Sequence, residues 1–119
     1  MRLRSLAIKL SKLEGISDPD LNLEQYQTEG EIAARWLFDI QSFNDLKPGC
    51  RVVDLGCGNG ILGIGAVLLG AGSAILVDSD QESCEVSTRN AQYLGTVSYT
   101  HLRAHETKAN IVCRLLLEK

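Results

Sequence analysis

Apolar residues recur at helical spacing in two segments near the start of the chain. The first segment predicts an amphipathic helix over residues 2–13, with basic side chains on its other side. Its apolar positions are Leu3, Leu6, Ala7, Leu10 and Leu13. The second begins at Thr28-Glu29-Gly30-Glu31, which fits a capping box, and predicts a helix to about Gln41. We expect this helix to bury Ile32, Ala33, Trp36, Leu37 and Ile40.

Two short apolar runs further along predict strands, each ending near an acid. The first covers residues 51–55 and contains Asp54, and the second covers residues 74–77 and precedes Asp78. An apolar helix is predicted between them, over residues 61–68, and another from about Asp80 to Leu94 behind the capping sequence Ser79-Asp80-Gln81-Glu82. Alternating strands and helices predict an α/β fold with parallel strands.

A glycine-rich turn joins the first strand to the helix that follows it, in the run Val52-Val53-Asp54-Leu55-Gly56-Cys57-Gly58-Asn59-Gly60. A strand that turns sharply into a helix needs unusual backbone angles and must let a ligand approach the main chain. With Asp78 after the second strand, the order is strand, glycine loop, helix, strand, acid, which is the first half of a Rossmann-like unit. The pattern predicts a site for an adenosine-bearing ligand.

The acid at Asp54 separates two classes of ligand. The spacing Gly58-x-Gly60-x-x-Gly63 also matches the dinucleotide pattern, but a carboxylate two residues before Gly56 would oppose a pyrophosphate. S-adenosylmethionine has no phosphate and carries an ammonium and a sulfonium, which Asp54 complements while Asp78 accepts hydrogen bonds from the ribose. We therefore predict S-adenosylmethionine. A purely structural alternative makes Asp54 a strand-end carboxylate that caps the following loop.

Composition limits the classes of protein further. With 119 residues, 45% of them hydrophobic, the chain has room for one small domain, and no apolar run is long enough to cross a membrane. The first ten residues mix charges into the apolar positions and do not resemble a signal peptide, so we expect a cytoplasmic protein. The four cysteines, at positions 50, 57, 84 and 113, match neither a zinc nor a redox spacing and are interpreted as free thiols.

Residues 1–94 resemble the methyltransferase-like protein 5 group, class I S-adenosylmethionine enzymes that methylate N6 of an adenosine in small-subunit ribosomal RNA. The resemblance covers five segments in order and spacing. These segments are Glu24-Gln25-Tyr26-Gln27-Thr28, Ile32-Ala33-Ala34-Arg35, Asp54 to Gly60, Leu69-Gly70-Ala71-Gly72 and Asp78-Ser79-Asp80. It implies a Rossmann-like class I methyltransferase fold with two N-terminal helices, truncated after about the second strand and its following helix.

The same resemblance implies which residues hold the cofactor. Gln25 and Thr28 would reach it from the loop before the second helix, and Asp78 would take the ribose. Gly56, Gly58 and Asn59 would line the cofactor. Thr28 has the alternative role of capping the second helix. Ser79 departs from the group, whose members tend to place an apolar residue there against the adenine.

The resemblance also implies partners and a catalytic motif. Ribosomal RNA would be the substrate of the intact enzyme, and a small zinc-binding subunit would activate it. The group's catalytic Asn-Pro-Pro-Phe lies in a later strand, but the only prolines here are Pro19 and Pro48. No catalytic residue is therefore predicted, and the 119-residue chain is expected to be inactive.

The character of the sequence changes after Leu94. The run Val97 to Thr107 resembles translated sequencing-adapter sequence, so we predict a methyltransferase half-domain over 1–94 and a non-native tail over 95–119. His101 and His105 have helical i, i+4 spacing, but without further ligands they predict no metal site. Two strands alone would leave a sheet edge unpaired, which predicts marginal folding.

Two other functions remain open from the sequence. The chain could be a stand-alone module that binds S-adenosylmethionine or another adenosine ligand without catalysis. It could also be a fragment of an NAD-dependent oxidoreductase, which only the literal Gly58-x-Gly60-x-x-Gly63 spacing favours.

Overall fold

Four helices and four strands form the fold in a computed structural model, which describes residues 1–16, 29–101 and 113–118, without the side chains of 97–101, 113 and 114. The helices are α1 (Leu3–Ser11), α2 (Gly30–Ser42), α3 (Ile61–Leu68) and α4 (Gln81–Tyr93). The strands are β1 (Arg51–Leu55), β2 (Ser73–Asp78), β3 (Val97–His101) and β4 (Cys113–Glu118). The predicted α/β fold with two N-terminal helices is confirmed.

The strands form one sheet in the order β1-β2-β4-β3. β1 and β2 are parallel, with Val52 opposite Ala74 and Asp54 opposite Leu76, while β4 runs antiparallel to both β2 and β3. The sequence analysis did not predict β3 and β4. Their pairing covers the edge of β2 that was expected to be open, and among the described strands β1 and β3 form the edges. The boundary at residue 94 stays a prediction.

The core lies where the helices meet the parallel strands. α3 packs on β1 and β2, α1 and α2 pack on each other and on α3, and α4 lies against β2, β4 and β3. The largest side chains that are fully buried include Leu6, Leu10, Ile64, Leu76, Leu115 and Leu117. Leu115 and Leu117 of β4 therefore belong to the same core as the helices.

α2 buries a different side from the one predicted. Ala33 and Leu37 are buried as expected, but Ile32, Trp36 and Ile40 are 41%, 52% and 42% exposed, so their prediction as core residues is wrong. The buried side contains Ala33 and Ala34, whose small side chains let the neighbouring helices approach closely. Apolar residues occur at helical spacing on two adjacent sides of this helix, and the side that contains the alanines is the one that packs against the core.

The helix starts lie one residue later than the capping boxes predicted. The N-cap of α4 is Asp80, whose Oδ2 accepts hydrogen bonds from the Ser83 backbone N–H at 3.2 Å and from its hydroxyl at 2.9 Å. The N-cap of α2 is Glu29, whose side chain makes no capping bond. Thr28, the predicted cap, lies outside the described residues.

Two further predictions concern the cysteines and the membrane. Cys50 and Cys57 are free thiols, as predicted. Cys84 is disulfide-bonded, so the prediction of a free thiol is wrong there, because folding brings distant cysteines together where spacing gave no signal. In the described part of the chain, no helix has the length and apolar character that a membrane crossing requires.

Candidate functional site

The glycine loop lies at the carboxyl end of β1 and is fastened to the same end of β2. The backbone N–H groups of Gly56 and Cys57 both donate to the carbonyl of Val77, at 2.8 and 3.0 Å. Gly56 and Gly58 have φ of 69° and 55°, in the left-handed region that favours glycine. Because the two strands are parallel, the acids at their carboxyl ends, Asp54 in β1 and Asp78 in β2, lie at one edge of the sheet.

Asp78 is bound directly to the loop. Its Oδ2 accepts a hydrogen bond from the Gly58 N–H at 2.9 Å, and its Oδ1 accepts one from the Asp80 N–H at 2.9 Å. Each carboxylate oxygen has a second lone pair, so both can accept another hydrogen bond. The orientation of Asp78 is thus set by the backbone, and its role as the ribose acceptor stays a prediction.

Asp54 lies under the start of α3. Its Oδ2 accepts a hydrogen bond from the Gly63 N–H at 3.1 Å, as the loop-capping interpretation predicts. Burial raises the pKa of this carboxyl group, the Gly63 hydrogen bond opposes the increase, and the negative charge of Asp78 adds to it. The two carboxylates therefore make this end of the sheet unfavourable for another anion.

The loop amides mostly donate within the protein. Gly60 N–H donates to the Cys57 carbonyl at 2.9 Å, and Ile61 N–H donates to Asn59 Oδ1 at 3.4 Å. Those of Gly56, Cys57, Gly58 and Gly63 donate to Val77, Asp78 and Asp54, as described above. A dinucleotide loop uses such amides to bind a pyrophosphate. Here their hydrogen bonds go to acceptors of the chain itself.

Gly63 serves packing and not ligand contact. A Cβ atom at this position would overlap Leu76 Cδ2 and lie 3.5 Å from Asp54 Oδ2. The third glycine of the Gly58-x-Gly60-x-x-Gly63 spacing thus lets α3 approach β2 closely, which a methyltransferase and a dinucleotide enzyme require equally.

Asn59 holds the loop to the chain that follows α1. It is buried, and its Nδ2 donates to the Glu14 carbonyl at 3.2 Å while its Oδ1 accepts from Ile61. This side chain is therefore used to position the loop, and its predicted contact with the cofactor stays a prediction.

Two polar residues of α4 also position the loop, and the sequence analysis missed both. Asn90 is 2% exposed, accepts from the Glu14 N–H at 2.8 Å and donates to the carbonyls of Glu14 and Asn59 at 2.9 Å each. The hydroxyl of Ser87 donates to the Gly58 carbonyl at 2.7 Å. Their signal in the sequence is polar side chains at positions of α4 that share a side with the inward-facing Cys84 and Ala91.

Most of the predicted cofactor residues thus meet at one place. Asp54, Gly56, Gly58, Asn59 and Asp78 lie around the carboxyl ends of β1 and β2, whereas Gln25 and Thr28 lie outside the described residues. Beside Asn59 is a hollow of about 390 Å³ whose lining includes Ser11, Gly30 and Ile61. Within residues 1–16, 29–101 and 113–118, no cluster of three potential metal ligands occurs.

Several known proteins are similar to this chain in sequence and in fold. A family model described as ribosomal protein L11 methyltransferase (PrmA) matches residues 31–117. The rRNA N(6)-adenosine-methyltransferase METTL5 of Danio rerio is 36% identical over 92 residues, which cover 77% of this chain and 44% of that protein. The corresponding metl-5 of Caenorhabditis elegans is 33% identical over 84 residues, 70% of this chain and 39% of that one. The crystal structure of a proposed RNA methyltransferase from Pyrococcus horikoshii has a TM-score of 0.72 and 42% identity, covering 80% of this chain and 47% of that one.

The fold and these matches define a chain of a methyltransferase family, with a Rossmann-like α/β architecture. The chain belongs to the family described as ribosomal protein L11 methyltransferase (PrmA). Its N-terminal region is homologous to the METTL5 rRNA N(6)-adenosine-methyltransferases, so the resemblance to that group is confirmed. The chain spans less than half the length of these relatives.

Proposed function

We propose that the chain is the cofactor-binding half of an S-adenosylmethionine-dependent methyltransferase that modifies N6 of an adenosine in ribosomal RNA. The observation that carries this proposal is the pair of backbone-oriented carboxylates, Asp54 and Asp78, beside a glycine loop whose amides are bound within the protein. That arrangement, in a chain homologous to rRNA adenosine methyltransferases, favours a ligand with hydroxyl donors and positive charge.

The residues present fit S-adenosylmethionine better than NAD. The raised pKa of Asp54, caused by burial and increased by the charge of Asp78, indicates a site that gains from a cation nearby. When bound, the cofactor supplies a methyl group on a sulfonium, and the sulfonium and the ammonium are both positive. The lone pairs left on Asp78 suit two ribose hydroxyls. A pyrophosphate would meet two carboxylates and amides with other acceptors, so we do not favour the oxidoreductase alternative.

The relatives' names contain two substrates, ribosomal RNA and ribosomal protein L11, and RNA is the better supported of the two. The METTL5 protein of Danio rerio matches 77% of this chain, whereas the ribosomal protein L11 methyltransferase of Stenotrophomonas maltophilia matches 60% of it at 39% identity. The family model begins at residue 31, after α1. The match to rRNA enzymes is thus the longer one, and we assign the RNA reaction to the intact protein.

The chain's own residues orient the cofactor and do not perform the transfer. Asp78 and Asp54 would hold the ribose and the positive end of the cofactor, and Asn90 and Ser87 would keep the loop in place. The Asn-Pro-Pro-Phe motif that resemblance assigns to the target amino group is absent from the 119 residues. We therefore expect binding without methyl transfer. A zinc-binding activator subunit and a cytoplasmic location stay predictions of the resemblance.

Calorimetric titration of the purified chain with S-adenosylmethionine tests the proposal. Asp78→Asn keeps the size of the side chain but removes its charge and one acceptor, so affinity should fall about tenfold or more. Asp39→Asn is the matched control, because it removes one carboxylate from an exposed position of α2. It should bind like the unchanged chain.

Four outcomes would contradict the proposal. Equal affinities of the Asp78→Asn and Asp39→Asn variants would remove Asp78 from the site. NAD that binds more tightly than S-adenosylmethionine would revive the oxidoreductase alternative. Methyl transfer by the 119 residues alone would refute the half-enzyme interpretation. If the chain binds S-adenosylmethionine but no methyl transfer occurs after the C-terminal half of a METTL5 relative is added, the stand-alone binding module is favoured.

A further inference from the structure

A groove of about 620 Å³ lies between α1 and α2, and its lining residues come from these two helices and from Lys12, the C-cap of α1. Apolar side chains of α1 form part of its lining, namely Leu3, Ala7 and Ile8. The basic side chains in the lining are Arg4, Lys12 and Arg35. Leu3 is 38% and Ile8 48% exposed, so apolar surface is available inside a positively charged border.

The local charge is opposite to that of the whole chain. The chain carries a formal net charge of −3, yet residues 1–13 contain four basic residues and no acid. Glu31, the acid in the lining, forms an ion pair of 3.4 Å with Arg35. The groove therefore presents net positive charge in an acidic protein, and charge complementarity points to a polyanion.

The groove also lies next to the hollow beside Asn59. Ser11 and Glu31 line both the groove and the hollow of about 390 Å³ beside Asn59. Asn59 in turn belongs to the glycine loop that Asp78 orients. A flexible chain in the groove would thus lead towards the loop where the cofactor is proposed to bind.

We propose that the α1/α2 groove binds single-stranded RNA that flanks the methylated base. Arg4, Lys12 and Arg35 contact phosphates, and Leu3 and Ile8 contact the face of a base. A single strand fits this chemistry because its bases are free to meet an apolar surface, whereas a duplex presents mainly phosphates and 2′-hydroxyls. The inference rests on the proposed RNA reaction and adds to it a surface for the substrate.

Fluorescence anisotropy of the 119-residue chain with a labelled single-stranded RNA oligonucleotide, without S-adenosylmethionine, tests the groove. Arg4→Glu/Lys12→Glu should weaken binding about tenfold and reduce the slope of log affinity against log salt by about 1.4, as expected for two lost phosphate contacts on a single strand. Arg2→Glu/Lys9→Glu is the matched control. It makes the same change of charge near the same two ends of α1, but neither residue lines the groove.

A third variant separates the contribution of apolar contacts in the groove from that of charge. Ile8→Gln leaves all charges in place, and it should weaken RNA binding a few-fold while the salt slope stays the same. Arg4, Ile8 and Lys12 are exposed, so each variant is expected to fold, and circular dichroism checks this.

The proposal fails if both charge pairs weaken binding equally, because that result would indicate diffuse attraction. It also fails if neither pair has an effect, if Ile8→Gln binds as well as the unchanged chain, or if the folded chain does not bind RNA. A polyglutamate peptide of equal charge that binds more tightly would indicate a protein partner instead. The readout needs no cofactor, so loss of cofactor binding in Asp78→Asn and loss of RNA binding here are independent results.

Discussion

Replacing Asn90 with alanine should destabilise the protein by about 4–6 kcal/mol. The buried side chain makes three hydrogen bonds, to the Glu14 N–H and to the carbonyls of Glu14 and Asn59. Each contributes about 1 kcal/mol net, and the buried Asn59 carbonyl costs about 1–3 kcal/mol more when it loses this donor. Alanine leaves the Glu14 N–H without this acceptor and the Asn59 carbonyl without this donor. For a domain of ordinary stability, about 5–15 kcal/mol, the loss is a large share.

Urea unfolding followed by circular dichroism measures this loss. Gln92→Ala is the matched control, because Gln92 lies exposed on the same helix and its replacement should change stability by no more than about 0.5 kcal/mol. Asn90→Asp keeps an acceptor for the Glu14 N–H but turns a carboxylate towards two carbonyls, so it should be at least as unstable as the alanine variant. S-adenosylmethionine affinity should fall in both Asn90 variants, since Asn59 belongs to the glycine loop.

A small effect would refute this reasoning. If Asn90→Ala lowers the free energy of unfolding by less than about 1 kcal/mol with an unchanged m-value, the hydrogen bonds do not hold the loop in solution. Stability that falls as expected while cofactor affinity stays constant would mean that the loop keeps its shape without Asn90, and the positioning role would be wrong.

Three further predictions follow from the site. The raised pKa of Asp54 means that folding favours its protonated form, so the unchanged chain loses stability as pH rises above about 3.8 and Asp54→Asn does not. Asp54→Asn should therefore gain stability relative to the unchanged chain over this range. Denaturation across pH 3–7 measures both, and parallel curves of unfolding free energy against pH would contradict the prediction. Gly63→Ala should cost about 1–3 kcal/mol in thermal unfolding, since its methyl group overlaps Leu76, and an unchanged midpoint would contradict the packing. Burial raises the pKa of Cys57 to about 12, so a thiol reagent at pH 8 should label Cys50 and reach Cys57 only after unfolding; rapid labelling of Cys57 in the native protein would disagree.

Local patterns in the sequence predicted the elements around the site and their order. The helices and parallel strands from α1 to α4 lie within a few residues of their predicted bounds, because apolar periodicity, glycine and capping residues act over one or two turns of chain. The glycine loop and the acids Asp54 and Asp78 were recognised for the same reason, since their spacing is itself the signal. The predicted class of ligand rests on the charge of those residues and stays a prediction.

Contacts between distant parts of the chain decided the rest. The bonds from Asn90 to Glu14 span 76 positions, and no local pattern encodes such a pairing. Packing against α1 and α3 determined which side of α2 is buried, and it left Trp36 exposed. Pairing with distant residues placed β4 between β2 and β3, and neither β3 nor β4 was predicted from the sequence. Periodicity describes which residues share a side of an element, whereas the partner of that side is determined only when the whole core assembles.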